Sequence, residues 1–160
     1  MDIQFREISA ADYPFMREML YLAIFVPPGQ FPFEKSVIDL PEILKYIENW
    51  NDSKDFGIIC FISEKPIGSI WGRLFSNENK GYGFINDETP ELTMAIKERY
   101  RNRGIGNRLM HRFLQQAKAI GYNSLSLSVD KRNRAFAFYK RIGFAIVYET
   151  ETSYTMKIQL

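Results

Sequence analysis

The stretch Arg101-Asn102-Arg103-Gly104-Ile105-Gly106 sets two arginines and two closely spaced glycines at the start of an amphipathic helical pattern. Such a turn suits an anion: the first N–H groups of a helix lack internal partners, its dipole adds positive potential, and glycine lets a ligand approach the backbone. A P-loop is excluded, because Asn107 and Arg108 stand where a lysine and a serine or threonine must follow the last glycine. The dinucleotide fingerprint fits poorly. It needs a glycine or alanine where Leu109 stands, and it belongs near the first strand of a chain. The residues of the turn alone therefore leave two readings open, a phosphate cradle and a plain basic turn with solvated arginines.

Other chemistries have few residues to work with. The single cysteine, Cys60, lies in an apolar run without a cationic neighbour and reads as a buried strand residue rather than a nucleophile. A lone cysteine also forms no internal disulfide, which fits a reducing, cytoplasmic setting. The only histidine, His111, falls on the polar side of the long helix and reads as a surface residue. No group of histidine, cysteine and carboxylate has metal-ligand spacing, so no metal is expected. What remains for proton transfer are carboxylates and phenols.

The elements that must position these residues are legible from periodicity. Residues 2–8 alternate as a strand, and a helix follows over 11–22, with Phe15, Met19, Leu22 and Ala23 at helical spacing. The prolines of FVPPGQFPFEKS stop it, and a second helix is expected over 40–49. Two strands, 56–62 and 67–75, flank the turn SEKP as a hairpin, and SNENKGYGFINDETP reads as a loop. A strand at 91–96 leads into the glycine turn. Ile105, Leu109, Phe113, Ala117 and Ile120 then mark one helix face that Gly121 ends. SLSLSV at 124–129 alternates strictly, a short helix is expected from Asn133 to Arg141, and strands at 144–149 and 153–160 close the chain. The order predicts one mixed α/β domain over residues 1–160.

With both motifs in view, ELTMAIKERYRNRGIGNRLM and the later NRAFAFYKRIGF resemble the GCN5-related N-acetyltransferase (GNAT) family. Its Gln/Arg-x-x-Gly-x-Gly/Ala turn corresponds to Arg101, Gly104 and Gly106; its downstream signature corresponds to Asn133, Ala135, Phe138, Tyr139, Gly143 and Phe144. The likeness is strongest over residues 91–147. It implies a central, twisted, mostly antiparallel sheet of about seven strands flanked by helices and splayed between the strands at 91–97 and 124–129.

The resemblance also implies acetyl-coenzyme A as cosubstrate and direct acetyl transfer to a primary amine of a small molecule or peptide. Backbone N–H groups of Arg103, Gly104, Ile105, Gly106 and Asn107 would hold the pyrophosphate, with Asn102 in the same turn and Arg101 and Arg108 adding charge. Main-chain groups of Met94, Ala95 and Ile96 would pair with the pantetheine arm, and Asn133 would face the cosubstrate while also serving as a helix cap. Tyr139 matches the tyrosine that protonates the departing thiolate. Glu91 is the expected base, with Asp87 and Glu88 as rivals. A different class of function, a non-catalytic acyl-coenzyme A sensor or interaction module, uses the same fold.

Composition narrows the partners. Basic residues number 21 and acidic 19, a net charge of +2, so bulk charge gives no reason to expect nucleic acid. No apolar stretch is long enough for a membrane span, and no secretory leader is evident at the N-terminus, so a cytoplasmic protein, monomer or homodimer, is expected.

Overall fold

The computed structural model describes residues 2–160. Seven strands form one sheet: β1 (Ile3–Glu7), β2 (Phe56–Ile62), β3 (Lys65–Arg73), β4 (Glu91–Ile96), β5 (Ser124–Asp130), β6 (Ala145–Glu149) and β7 (Ser153–Gln159). Their order across the sheet is β1-β2-β3-β4-β5-β7-β6. Every neighbouring pair is antiparallel except β4 and β5. Those two are joined through α3 (Ile105–Ile120), the crossover helix a parallel pair requires.

Each face of the sheet has its own core because strand side chains alternate. One face carries Ile58, Cys60, Ile70, Leu125, Leu127 and Met156, and it packs on Leu109, Met110, Phe113 and Ala117 of α3. The opposite face carries Ile59, Trp71 and Ala95 beneath Met16, Met19 and Leu20 of α1 (Tyr13–Ala23), with Ile47 alongside. Phe113 is fully buried, worth roughly 1.5–3 kcal/mol relative to exposure. Cys60 is buried too, and burial pushes its thiol up to about 12.

The structure departs from the periodic reading in four places. The second helix, expected over 40–49, is a single turn, α2 (Pro41–Leu44). Arg73 Nη1 donates to the Lys45 carbonyl at 2.7 Å and Trp71 Nε1 to that of Tyr46 at 3.0 Å. Both carbonyls would otherwise take N–H groups of a continuing helix. The last helix, α4 (Ala135–Ile142), begins two residues after Asn133, whose side-chain oxygen accepts the Ala135 N–H at 2.9 Å as a cap. Ile120 is 53% exposed rather than part of the buried stripe, since the chain leaves the helix at Gly121 with φ 113°. Finally, two of the three serines of SLSLSV do not face water: Ser124 and Ser126 are buried on the side of the sheet opposite α3, and Ser128 is half-buried.

Candidate active site

The sheet is open at one place. β4 and β5 share a single register pair, Glu91 with Ser126, fixed by the Ser126 N–H donating to the Pro90 carbonyl at 2.9 Å. Beyond that pair the strands diverge. On its other edge β4 stays paired with β3 from Glu91 opposite Arg73 to Ile96 opposite Gly68. Backbone groups of successive strand residues point to opposite edges. Pro90 bonds toward β5 and Lys97 donates to Ile67 on the β3 side, so the main-chain groups of Met94 and Ile96 face the gap and those of Ala95 face β3. Ala95 therefore lacks the gap-facing backbone expected of it.

The glycine turn closes the wide end of this gap. Gly104 is the residue before α3, with φ 77°, and Asn102 has φ 60°; both lie in the left-handed region. No side chain caps α3, and its first return bond is Arg108 N–H to the Gly104 carbonyl at 3.3 Å. The N–H groups of Ile105, Gly106 and Asn107 thus precede the first intrahelical donor. Nothing lies within 4 Å of where a Gly104 side chain would project, while one on Gly106 would meet Ile96, Met94 and Phe138 at 3.4–3.8 Å. β4, the turn and α4 therefore converge at Gly106. The uncapped donors beside open space fit an anion such as a pyrophosphate.

The arginines divide differently from the sequence reading. Arg101 Nε donates to the Ile96 carbonyl at 2.8 Å, so that gap-facing carbonyl is already engaged and only the end of the guanidinium is left for a phosphate. Arg108 is not aimed into the turn. It lies over the Phe5 ring at 5.2 Å, with Arg112 at 4.2 Å from the same ring, because α3 packs against the β1 side of the sheet. Arg103 is exposed.

On α4, Tyr139 is buried edge-on to Phe138 and Phe144, with ring centroids 5.5 and 5.8 Å away. Burial alone pushes its phenol up to about 12, so it keeps its proton at physiological pH. Asn133 caps α4 with its oxygen, leaving its amide N–H groups for other partners.

Glu91 sits at the narrow end, on the face opposite α3. It is 4% exposed, whereas the rivals Asp87 and Glu88 are exposed to solvent. Its Oε2 accepts the Tyr46 hydroxyl and its Oε1 the Gly83 N–H at 2.9 Å; the Tyr46 oxygen in turn accepts the Tyr82 N–H at 2.8 Å. Burial pushes the Glu91 carboxyl up from 4.5 to about 7, opposed by the Tyr46 hydroxyl, the Gly83 N–H and the positive charge of Lys45. The Tyr46 phenol is itself pushed up, first by burial and then by the Glu91 charge.

Sequence reasoning missed Tyr46, Gly81 and Gly83. The signal available was the Gly-Tyr-Gly spacing at 81–83 inside an otherwise polar loop. A side chain at Gly81 would overlap Glu91 Oε1, and one at Gly83 would lie 2.6 Å from the Leu127 carbonyl carbon. Both glycines are needed for the loop to close over the carboxylate and lie against β5.

The chain matches the acetyltransferase (GNAT) family over residues 17–144, most of its length, and belongs to that family. Solved structures agree in fold. The PaiA N-acetyltransferase of Thermoplasma acidophilum, solved in complex with coenzyme A, is 19% identical, with full coverage of both chains and a TM-score of 0.71. The ribosomal-protein-S18-alanine N-acetyltransferase of Escherichia coli is 15% identical, covering 99% of this chain and 94% of its own, with a TM-score of 0.68. The GNAT domain of S. lividans PAT is 12% identical, covering 99% and 90%, with a TM-score of 0.72. Among curated proteins there is no match. No helix among the described residues is long and apolar enough to cross a membrane.

Proposed function

We propose that the protein transfers the acetyl group of acetyl-coenzyme A directly to a primary amine of a small molecule or peptide. The observation that carries this reading is the pairing of an uncapped glycine turn at the wide end of the β4–β5 gap with a buried carboxylate at its narrow end. N–H groups of Ile105, Gly106 and Asn107 hold the pyrophosphate, helped by Arg103 and the free end of Arg101. The backbone of Met94 and the Ile96 N–H pair with the pantetheine arm, and the Asn133 amide flanks it.

Glu91, near pH 7 poised between its two protonation states, takes a proton from the acceptor ammonium so that the nitrogen lone pair attacks the thioester carbonyl. The C–N bond forms, the C–S bond breaks, and the amide nitrogen gives its surplus proton to solvent. Tyr139 holds its proton too firmly to be a strong acid and acts by hydrogen bonding to the departing thiolate, which solvent then protonates.

A second reading has an observation in its favour. Glu91 already accepts two hydrogen bonds under a closed loop, as a structural carboxylate would in an acyl-coenzyme A sensor. A thermal-shift titration with acetyl-coenzyme A, followed by turnover on a panel of amines, separates the outcomes. Stabilisation with turnover supports the transferase, and stabilisation with no turnover on any amine supports the sensor. No stabilisation by coenzyme A overturns both.

A further inference from the structure

The register across the sheet places Arg73, Glu91, Ser126 and Lys157 in one row on β3, β4, β5 and β7. Side chains of register partners project from the same face. Arg73 is engaged by Asp55, at 3.2 Å, and by the Lys45 carbonyl. Glu91 is engaged by Tyr46 and Gly83, with Lys45 and Tyr82 nearby. Ser126 is fully buried, and its hydroxyl has no hydrogen-bond partner. Its neighbour on the same face, Ser124, is paired with Thr89 at 2.9 Å.

A buried hydroxyl without a partner is costly, and in native proteins it commonly marks an ordered water or a functional contact. The setting of this one points to Glu91. The Gly83 N–H that binds Glu91 Oε1 belongs to a backbone lying against the Leu127–Ser128 peptide of β5, so the carboxylate is held over the strand that carries Ser126. A carboxylate has about four acceptor sites, and two are occupied here. The backbones of register partners on adjacent strands stand about 4.8 Å apart, so the Ser126 hydroxyl and the Glu91 side chain leave the same face of the sheet side by side, close enough for one water to bond to both.

We propose that Ser126 is a positioning residue for the transfer: its hydroxyl and Glu91 together hold a single water through which the proton of the acceptor amine reaches the carboxylate. The water donates one hydrogen to Glu91 and accepts a proton from the ammonium as it passes its own on, so it is regenerated and no other reactant is consumed. This rests on Glu91 acting as the base. It also gives a carboxylate that is only 4% exposed a route to the acceptor amine.

Ser69 supplies the internal control. It is equally buried with an unpartnered hydroxyl, yet its register partners are Ala95 and Ile59, with no carboxylate in the row. The test is a set of variants, Ser126→Ala, Ser69→Ala, Glu91→Gln and the double Ser126→Ala/Glu91→Gln, each measured for kcat, for the KM of acetyl-coenzyme A and for Tm. Ser126→Ala should lower kcat about tenfold at unchanged KM and unchanged or raised Tm, Ser69→Ala should leave kcat alone, and the double variant should be no slower than Glu91→Gln. Full kcat in Ser126→Ala beside a slow Glu91→Gln would overturn the water relay and leave the base intact. Additive losses in the double variant, or a loss in Ser69→Ala equal to that in Ser126→Ala, would overturn it as well. Full kcat in Glu91→Gln would remove the base itself, and the relay with it.

Discussion

The two ends of the β4–β5 gap differ in readiness. At the wide end Gly104 faces open space and the first N–H groups of α3 have no cap, so an anion could bind with little rearrangement. At the narrow end Glu91 is covered by Gly81–Gly83 and bonded on both oxygens. One end is built to receive and the other to hold. On the function proposed above, cosubstrate binding would draw on fixed main-chain geometry, while the carboxylate depends on side chains from distant parts of the chain, Tyr46 among them. The two ends should therefore respond to different perturbations.

The largest effect is expected from Glu91→Gln, which should reduce kcat by about 10²-fold or more while coenzyme A binding, read by calorimetry, stays as in the parent. A parallel loss of binding would erase the distinction between the ends. Next, Gly104→Val puts a branched residue at φ 77° and projects it into the anion space, and coenzyme A affinity should fall about tenfold. Turnover at saturating cosubstrate should be nearly unaffected. Tyr46→Phe removes one of the hydrogen bonds that pull the Glu91 carboxyl down, so the acidic limb of the kcat/KM profile, centred near pH 7 in the parent, should move to higher pH. A limb that stays in place would mean that Tyr46 only packs.

A smaller signal should appear in stability. The folded chain keeps the Glu91 proton to about pH 7 while an unfolded one releases it near 4.5. The folded state therefore binds more protons across that window, and this contribution to stability should decline as pH rises through it. Chemical denaturation at several pH values should show the decline, and Glu91→Gln should flatten it. Smallest of all, Arg103→Ala should weaken coenzyme A binding only about two- to threefold, because an exposed arginine adds a screened contact to donors the backbone already supplies.

The wide end was the legible one. Its turn, its strand and its helix are contiguous in sequence, so a spacing of glycines and a period of apolar residues described it, and β4 and α3 fall at their expected bounds. Glu91 could be named, but its setting could not. That setting is made by a residue 45 positions upstream and by a loop glycine eight positions back. No local pattern encodes such contacts. The shortening of α2 has the same origin, since Arg73 and Trp71 reach across from β3 to take the Lys45 and Tyr46 carbonyls that follow it. SLSLSV shows the limit most clearly: alternation identified the strand, yet burial on both faces depended on what the 76–90 loop would cover.

The Tyr46 hydroxyl joins the segment after α2 to the carboxylate on β4. A chimaera that exchanged residues 24–50 would also replace the phenol that bonds this carboxylate. Grafting that segment therefore carries part of the Glu91 proton affinity with it, and a graft lacking a phenol at position 46 should leave a carboxylate that ionises at higher pH.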